Sequence, residues 1–124
     1  MRREDVSRIL VNATHAEDDA ERATLPFVVG NVAATADQEA VVLLTIEGVW
    51  LATHGYADRI CKQGFPPLRE AMSSFLANGG EIWACAACTK PRGIEAPQLM
   101  AGVKLVTAAN VVEYLAGGTA SLSF

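Results

Sequence analysis

The run Ala40-Val41-Val42-Leu43-Leu44-Thr45-Ile46 is apolar at six of its seven positions and lacks the alternation of a strand with one wet face. A strand buried on both sides belongs to a parallel sheet with helices above and below it. Shorter apolar runs recur at Ser7–Ala13, Glu81–Cys85, Val103–Val106 and Ala120–Phe124. Helical spacing lies between them, at Leu68, Met72, Phe75 and Leu76 and again over Ala109–Leu115, with Asn78-Gly79-Gly80 as a stop. Parallel strands need crossover connections of this kind. The pattern predicts an α/β chain: a three-layer α/β/α sandwich with a mainly parallel sheet of about five strands, and residues 1–124 as one domain.

Leu25 to Ala36 is the ambiguous stretch. Pro26-Phe27-Val28-Val29 has strand composition, whereas Leu25, Val29, Val32, Ala33 and Ala36 recur at helical spacing. The spacing favours a helix over 25–36, kinked at Pro26, with Asp18, Asp19 and Glu21 near its positive end. Glu47-Gly48 ends the second strand, Val49–Ala52 begins a short helix or turn, and Pro97–Ala101 forms a brief helix.

Charge and composition narrow the function. A net charge of −4 offers no basic stripe for nucleic acid. No apolar run reaches the roughly 18 residues of a bilayer span. Met1-Arg2-Arg3-Glu4-Asp5 does not lead into a signal-peptide apolar region, and three cysteines do not form a secreted disulfide framework. The expected compartment is the cytoplasm.

The chemistry concentrates in Glu81-Ile82-Trp83-Ala84-Cys85-Ala86-Ala87-Cys88-Thr89-Lys90-Pro91-Arg92-Gly93-Ile94. An apolar segment that ends in a cysteine delivers a thiol to the carboxyl edge of a sheet, where open α/β sheets bind ligands. Lys90 and Arg92 follow closely, and cations favour the thiolate, the form that attacks or carries sulfur. Against this stands the plain alternative that Cys85 is a small buried apolar residue. Cys88 either resolves a disulfide or sulfenic acid on Cys85 or helps hold a metal. His15 and His54 would have to complete a zinc site, and one Cys-x-x-Cys is a weak zinc signal. Asn12 lies near the carboxyl end of the first strand. Glu47 is either a proton carrier beside the cysteine strand or a capping carboxylate. Cys61 is expected to pack in or near a helix. No phosphate loop or dinucleotide fingerprint exists, so no cofactor is expected.

Pro66-Pro67-Leu68, the stretch from Asn78 to Ile94 and Gly102-Val103-Lys104, with Glu47-Gly48-Val49 after the second strand, resemble the DsrE/DsrF-like family, which includes the TusBCD sulfur-relay subunits and YchN-like proteins. The resemblance implies a five-stranded α/β/α sandwich that assembles as trimers or hexamers. It also implies a persulfide on the cysteine after the third strand, eight residues before the glycine of an Arg-Gly-apolar element. Cys85 precedes Gly93 by that interval, so the carrier role falls on Cys85, with Lys90, Arg92, Gly93, Asn12 and Glu47 as the surrounding substrate-binding set. Cys88 departs from the sulfur-relay pattern. The expected function is sulfur trafficking between protein donor and acceptor thiols. Two alternatives stay open, a non-catalytic or redox-responsive oligomeric scaffold and a dithiol oxidoreductase using Cys85 and Cys88.

Assembly is expected from composition as well. At 51% hydrophobic residues the chain is apolar for its size. Leu25, Phe27, Val28 and Val29 form one dense patch, the tail with Leu122 and Phe124 another, and one of the two is expected to face a neighbouring subunit.

Overall fold

A computed structural model describes residues 7–124, so the reading of Met1 to Asp5 lies outside the described residues. The strands are β1 (Arg8–Ala13), β2 (Glu39–Leu44), β3 (Glu81–Cys85), β4 (Val103–Val106) and β5 (Thr119–Ser123). They form one sheet in the order β4-β3-β2-β1-β5, and every neighbouring pair is parallel. The helices are α1 (Ala20–Thr35), α2 (Leu68–Ala77), the four-residue α3 (Ala86–Thr89) and α4 (Ala108–Ala116).

Side-chain alternation sorts the strands into two faces. Val11, Ala13, Val42, Leu44, Ile82 and Ala84 point into the main core, which α1 and α2 close with Phe27 and Phe75, two rings meeting edge to face at 6.0 Å. Leu10, Val41, Leu43, Cys85 and Val106 form a second, smaller core on the opposite face, beneath Val111 and Tyr114 of α4. The result is the three-layer α/β/α sandwich that the strand pattern predicts. Because β4 and β5 are the two edges of the sheet, the connection through α4 crosses the whole second face.

Several boundaries differ from the sequence reading. Helix α1 starts at Ala20, not Leu25, because Asp19 caps it by accepting a hydrogen bond from the Arg22 amide at 3.0 Å. Pro26 is therefore interior and leaves the Arg22 carbonyl without its amide partner. The dense patch ascribed to this helix is mostly internal: Phe27 is fully buried and Leu25, Val28 and Val29 are partly covered. Strand β2 ends at Leu44, and Ile46 begins a 3-10 segment, Ile46–Ala52, after adopting a left-handed φ of 54°. The brief helix near Pro97 is a single 3-10 turn over Ala96–Gln98.

Candidate functional site

Cys85 closes β3 and points to the second face, 9% exposed, with its in-register neighbour Val106 on β4. On the other side the β2–β3 register ends at Leu44 opposite Ala84. One residue further, Thr45 stands opposite Cys85 on the same face. The Thr45 hydroxyl donates to Asn12 Oδ1 at 2.8 Å, and Asn12 Nδ2 donates to the Ser123 hydroxyl at 3.3 Å. Asn12 is level with Leu43 and Trp83, two residues short of Cys85, so the Thr45–Asn12 bond runs diagonally along the carboxyl edge that also carries Cys85. Thr45 was invisible to the motif reading, since it looked like the last polar break in an apolar run.

The chain turns out of β3 directly into α3, which begins at Ala86 with Cys85 as its flanking residue. Cys88 is half-buried and packs against both cores, and both thiols are free. A 3-10 turn over Lys90–Arg92 follows and closes at Gly93, whose φ of 71° suits glycine. Arg92 does not present a free charge to Cys85. Its Nε donates to Glu47 Oε1 at 3.0 Å, its Nη2 meets the same oxygen at 3.0 Å, and its Nη1 donates to the Cys88 carbonyl at 3.1 Å. Glu47, read from sequence as a proton carrier or a cap, is the anchor of that arginine. Together they tie the turn after β2 to the segment carrying Cys88. Lys90 is exposed and has no ion-pair partner among the described residues.

Gly48 explains why this turn has its sequence. An added Cβ would lie 2.1 Å from the Ala13 carbonyl oxygen, so the turn after β2 rests backbone to backbone on the end of β1. The Ala13 oxygen also accepts from the Thr45 amide at 3.0 Å.

The remaining candidates lie apart. His15 pairs with Asp18 at 2.8 Å, while His54 is exposed and bonded through its backbone amide to Gln98. Among the described residues no group of three or more His, Cys, Asp or Glu side chains is placed to hold a metal ion. Cys61 does not pack inside: Ile60 takes the buried position, and Cys61 is exposed in the loop before α2.

The sequence reading also missed the aromatic cover beside the cysteine. The Tyr114 ring meets Trp83 edge to face at 4.9 Å, and the Arg8 guanidinium lies 4.2 Å from its centroid. The Tyr114 hydroxyl donates to Glu39 Oε2 at 3.1 Å. Burial first, and the nearby Glu39 carboxylate second, push Tyr114 up to about 12. The Trp83 indole donates to Glu81 Oε1 at 3.0 Å and Lys104 Nζ lies 3.0 Å from the same oxygen, which together hold that carboxyl below the usual glutamate range.

Comparison with known proteins agrees with the fold. The YchN protein of E. coli superposes with a TM-score of 0.80 at 17% identity, covering 96% of this chain and 100% of that one. MTH1491 of Methanobacterium thermoautotrophicum, a protein of unknown function, gives 0.73 at 20% identity, covering 95% and 99%. In sequence, the uncharacterized protein MJ0760 of Methanocaldococcus jannaschii is 26% identical over 110 residues, and the uncharacterized protein MK0008 of Methanopyrus kandleri is 26% identical over 113. The match covers about nine-tenths of this chain in both cases, but 40% of the length of MJ0760 against 89% of MK0008. The sequence profile of the DsrE/DsrF-like family matches residues 7–124, nearly the whole chain. The chain belongs to the DsrE/DsrF-like family.

Proposed function

We propose that the protein handles sulfane sulfur, with Cys85 as the carrying thiol. The observation that carries this reading is the position of Cys85 at the carboxyl end of the internal strand β3, on the sheet edge that also carries the hydrogen-bonded pair Asn12 and Thr45, within a family associated with sulfur relay. The Cys85 thiolate attacks the outer sulfur of a donor persulfide. A bond forms between Cys85 Sγ and that sulfur, the donor's own sulfur–sulfur bond breaks, and the donor leaves as a thiolate. An acceptor thiolate then attacks the same outer sulfur and Cys85 leaves as thiolate, so no external oxidant or reductant enters. Asn12 Nδ2 and the Thr45 hydroxyl, on the same edge of the sheet, are the polar groups proposed to orient the added sulfur. Arg92 acts as a positioning residue, holding the Cys88 segment through Glu47, and Lys90, exposed and without an ion pair among the described residues, is a cation for an incoming anionic or protein partner.

The compartment that suits this chemistry is the reducing cytoplasm. No helix among the described residues is long and apolar enough to cross a membrane. We also propose a homo-oligomer, a trimer or hexamer. Val32 on α1 is 65% exposed and Leu122 on β5 50% exposed, on the two elements whose apolar content the composition singled out. A single 13.1 kDa species in light scattering at micromolar concentration would contradict the assembly.

One observation favours a second reading. Cys85 sits in an apolar cluster at 9% exposure, as a structural cysteine in a scaffold would. Cysteine replacements separate the readings. A carrier keeps sulfur loading in Cys88→Ser and loses it in Cys85→Ser. A dithiol oxidoreductase forms a Cys85–Cys88 disulfide that either replacement abolishes. A scaffold takes up no sulfur on either thiol, which would overturn the carrier assignment.

A further inference from the structure

The buried position of Cys85 raises the question of how a donor reaches it. On its face of the sheet, Val111 and Tyr114 of α4 pack, together with Trp83 and Cys88, against the small cluster that contains Cys85. That helix is weakly embedded: none of its residues is buried, whereas α1 buries six and α2 four. Val112 and Leu115 on it are 64% and 36% exposed.

One residue makes most of its attachments. Tyr114 packs against Trp83, lies under the Arg8 guanidinium and donates to Glu39, and its carbonyl accepts from Arg8 Nη2 and from the Thr119 hydroxyl. The helix is otherwise self-sufficient. The Thr107 hydroxyl accepts from the Asn110 amide at 3.2 Å and Asn110 Oδ1 accepts from the Thr107 amide at 2.9 Å, which closes its first turn without help from the sheet. A helix capped on itself and fastened mainly at one residue, through its side chain and its carbonyl, can leave its seat intact.

We propose that α4 is a lid over Cys85, latched by Tyr114 to Arg8, Glu39 and Trp83, and that its opening exposes the thiol to the donor. The lid takes its purpose from the carrier reading of Cys85, but its test reads alkylation and needs no sulfur donor. Peptide-resolved alkylation of Cys85 is measured on the full chain in the wild type and in Tyr114→Phe and Tyr114→Ala. Tyr114→Ala is expected to react about tenfold faster, the factor for about 1.4 kcal/mol of lost ring, cation–π and hydrogen-bond contacts. Tyr114→Phe keeps the ring and loses one hydrogen bond, and is expected to react about threefold faster. Rates unchanged from wild type in both folded variants would overturn the lid.

Should Tyr114→Ala fail to fold, wild-type labelling in low urea decides. Local opening gives a rate nearly independent of urea, whereas a rate that climbs with the slope of global unfolding contradicts a lid. Cys85 that labels through local opening yet takes up no sulfane sulfur would reject the carrier and keep the lid.

Discussion

Replacing Gly48 with alanine tests the contact on which the candidate site is built. The new Cβ would sit 2.1 Å from the Ala13 oxygen and 2.9 Å from the Ala13 carbonyl carbon, where real Cβ atoms essentially never come within 3.0 Å. The turn and the end of β1 must separate by about 1 Å, and both obstacles are backbone in a close-packed interior rather than the free end of a side chain. The same movement stretches the Thr45 amide bond to the Ala13 oxygen. Overpacking costs about 2 kcal/mol and a weakened buried hydrogen bond about 1 kcal/mol, giving a loss of about 3 kcal/mol. For a domain of this size that corresponds to a melting temperature lower by about 12 °C. Urea unfolding followed by tryptophan fluorescence reads the free energy directly, because Trp50 lies two residues after Gly48 and Trp83 two residues before Cys85. The Asn12–Thr45 pair shifts with the turn, so sulfur loading on Cys85 should fall as well. A loss below 1 kcal/mol with an unchanged urea slope would refute the reasoning, since it would mean that the two backbones do not press on each other.

Three smaller predictions follow from the same geometry. Tyr114 is raised from 10.0 to about 12 in the folded chain, so its contribution to stability is complete below pH 10 and is lost as pH rises from 10 to about 12; ultraviolet titration should show one tyrosine ionising late, and Tyr114→Phe should flatten the alkaline loss. Glu81 is lowered from 4.5, so its contribution is complete above pH 4.5 and is lost as pH falls below that value; Glu81→Gln should therefore reduce the acid sensitivity of the unfolding midpoint. Ile46 is a β-branched residue at a φ of 54° and 52% exposed, so Ile46→Asn should stabilise the fold by about 1 kcal/mol in chemical unfolding, and a destabilised variant would contradict strain at that turn.

Strand β2 was legible because burial on both faces leaves an uninterrupted apolar run, and β3 and β4 fall where shorter runs predict, although β4 is a largely exposed edge strand. The beginning of α1 was not, because its first turn, Ala20 to Thr24, carries little apolar periodicity and is fixed instead by the Asp19 cap. Phe27 looked like surface because its neighbours are apolar too, and only its contact with Phe75, 48 positions away, reveals the core. At the site, the thiol at a strand end could be read from local sequence. The pairing of Arg92 with Glu47 could not, since the two are 45 residues apart and meet only through the parallel crossover. Nor could the partnership of Thr45 with Asn12, or the contacts of Tyr114 with Arg8, Glu39 and Trp83, which register and topology create.

The central claim is that Cys85 carries sulfane sulfur, and intact mass tests it most directly. The full chain is exposed to a sulfane-sulfur donor, freed of small molecules without reductant, and weighed beside Cys85→Ser. One added sulfur atom is expected on the wild type, mapped to the Cys85 peptide, and none on Cys85→Ser. An unchanged wild-type mass, a loss of two hydrogens without added sulfur, or equal loading of Cys85→Ser would contradict it.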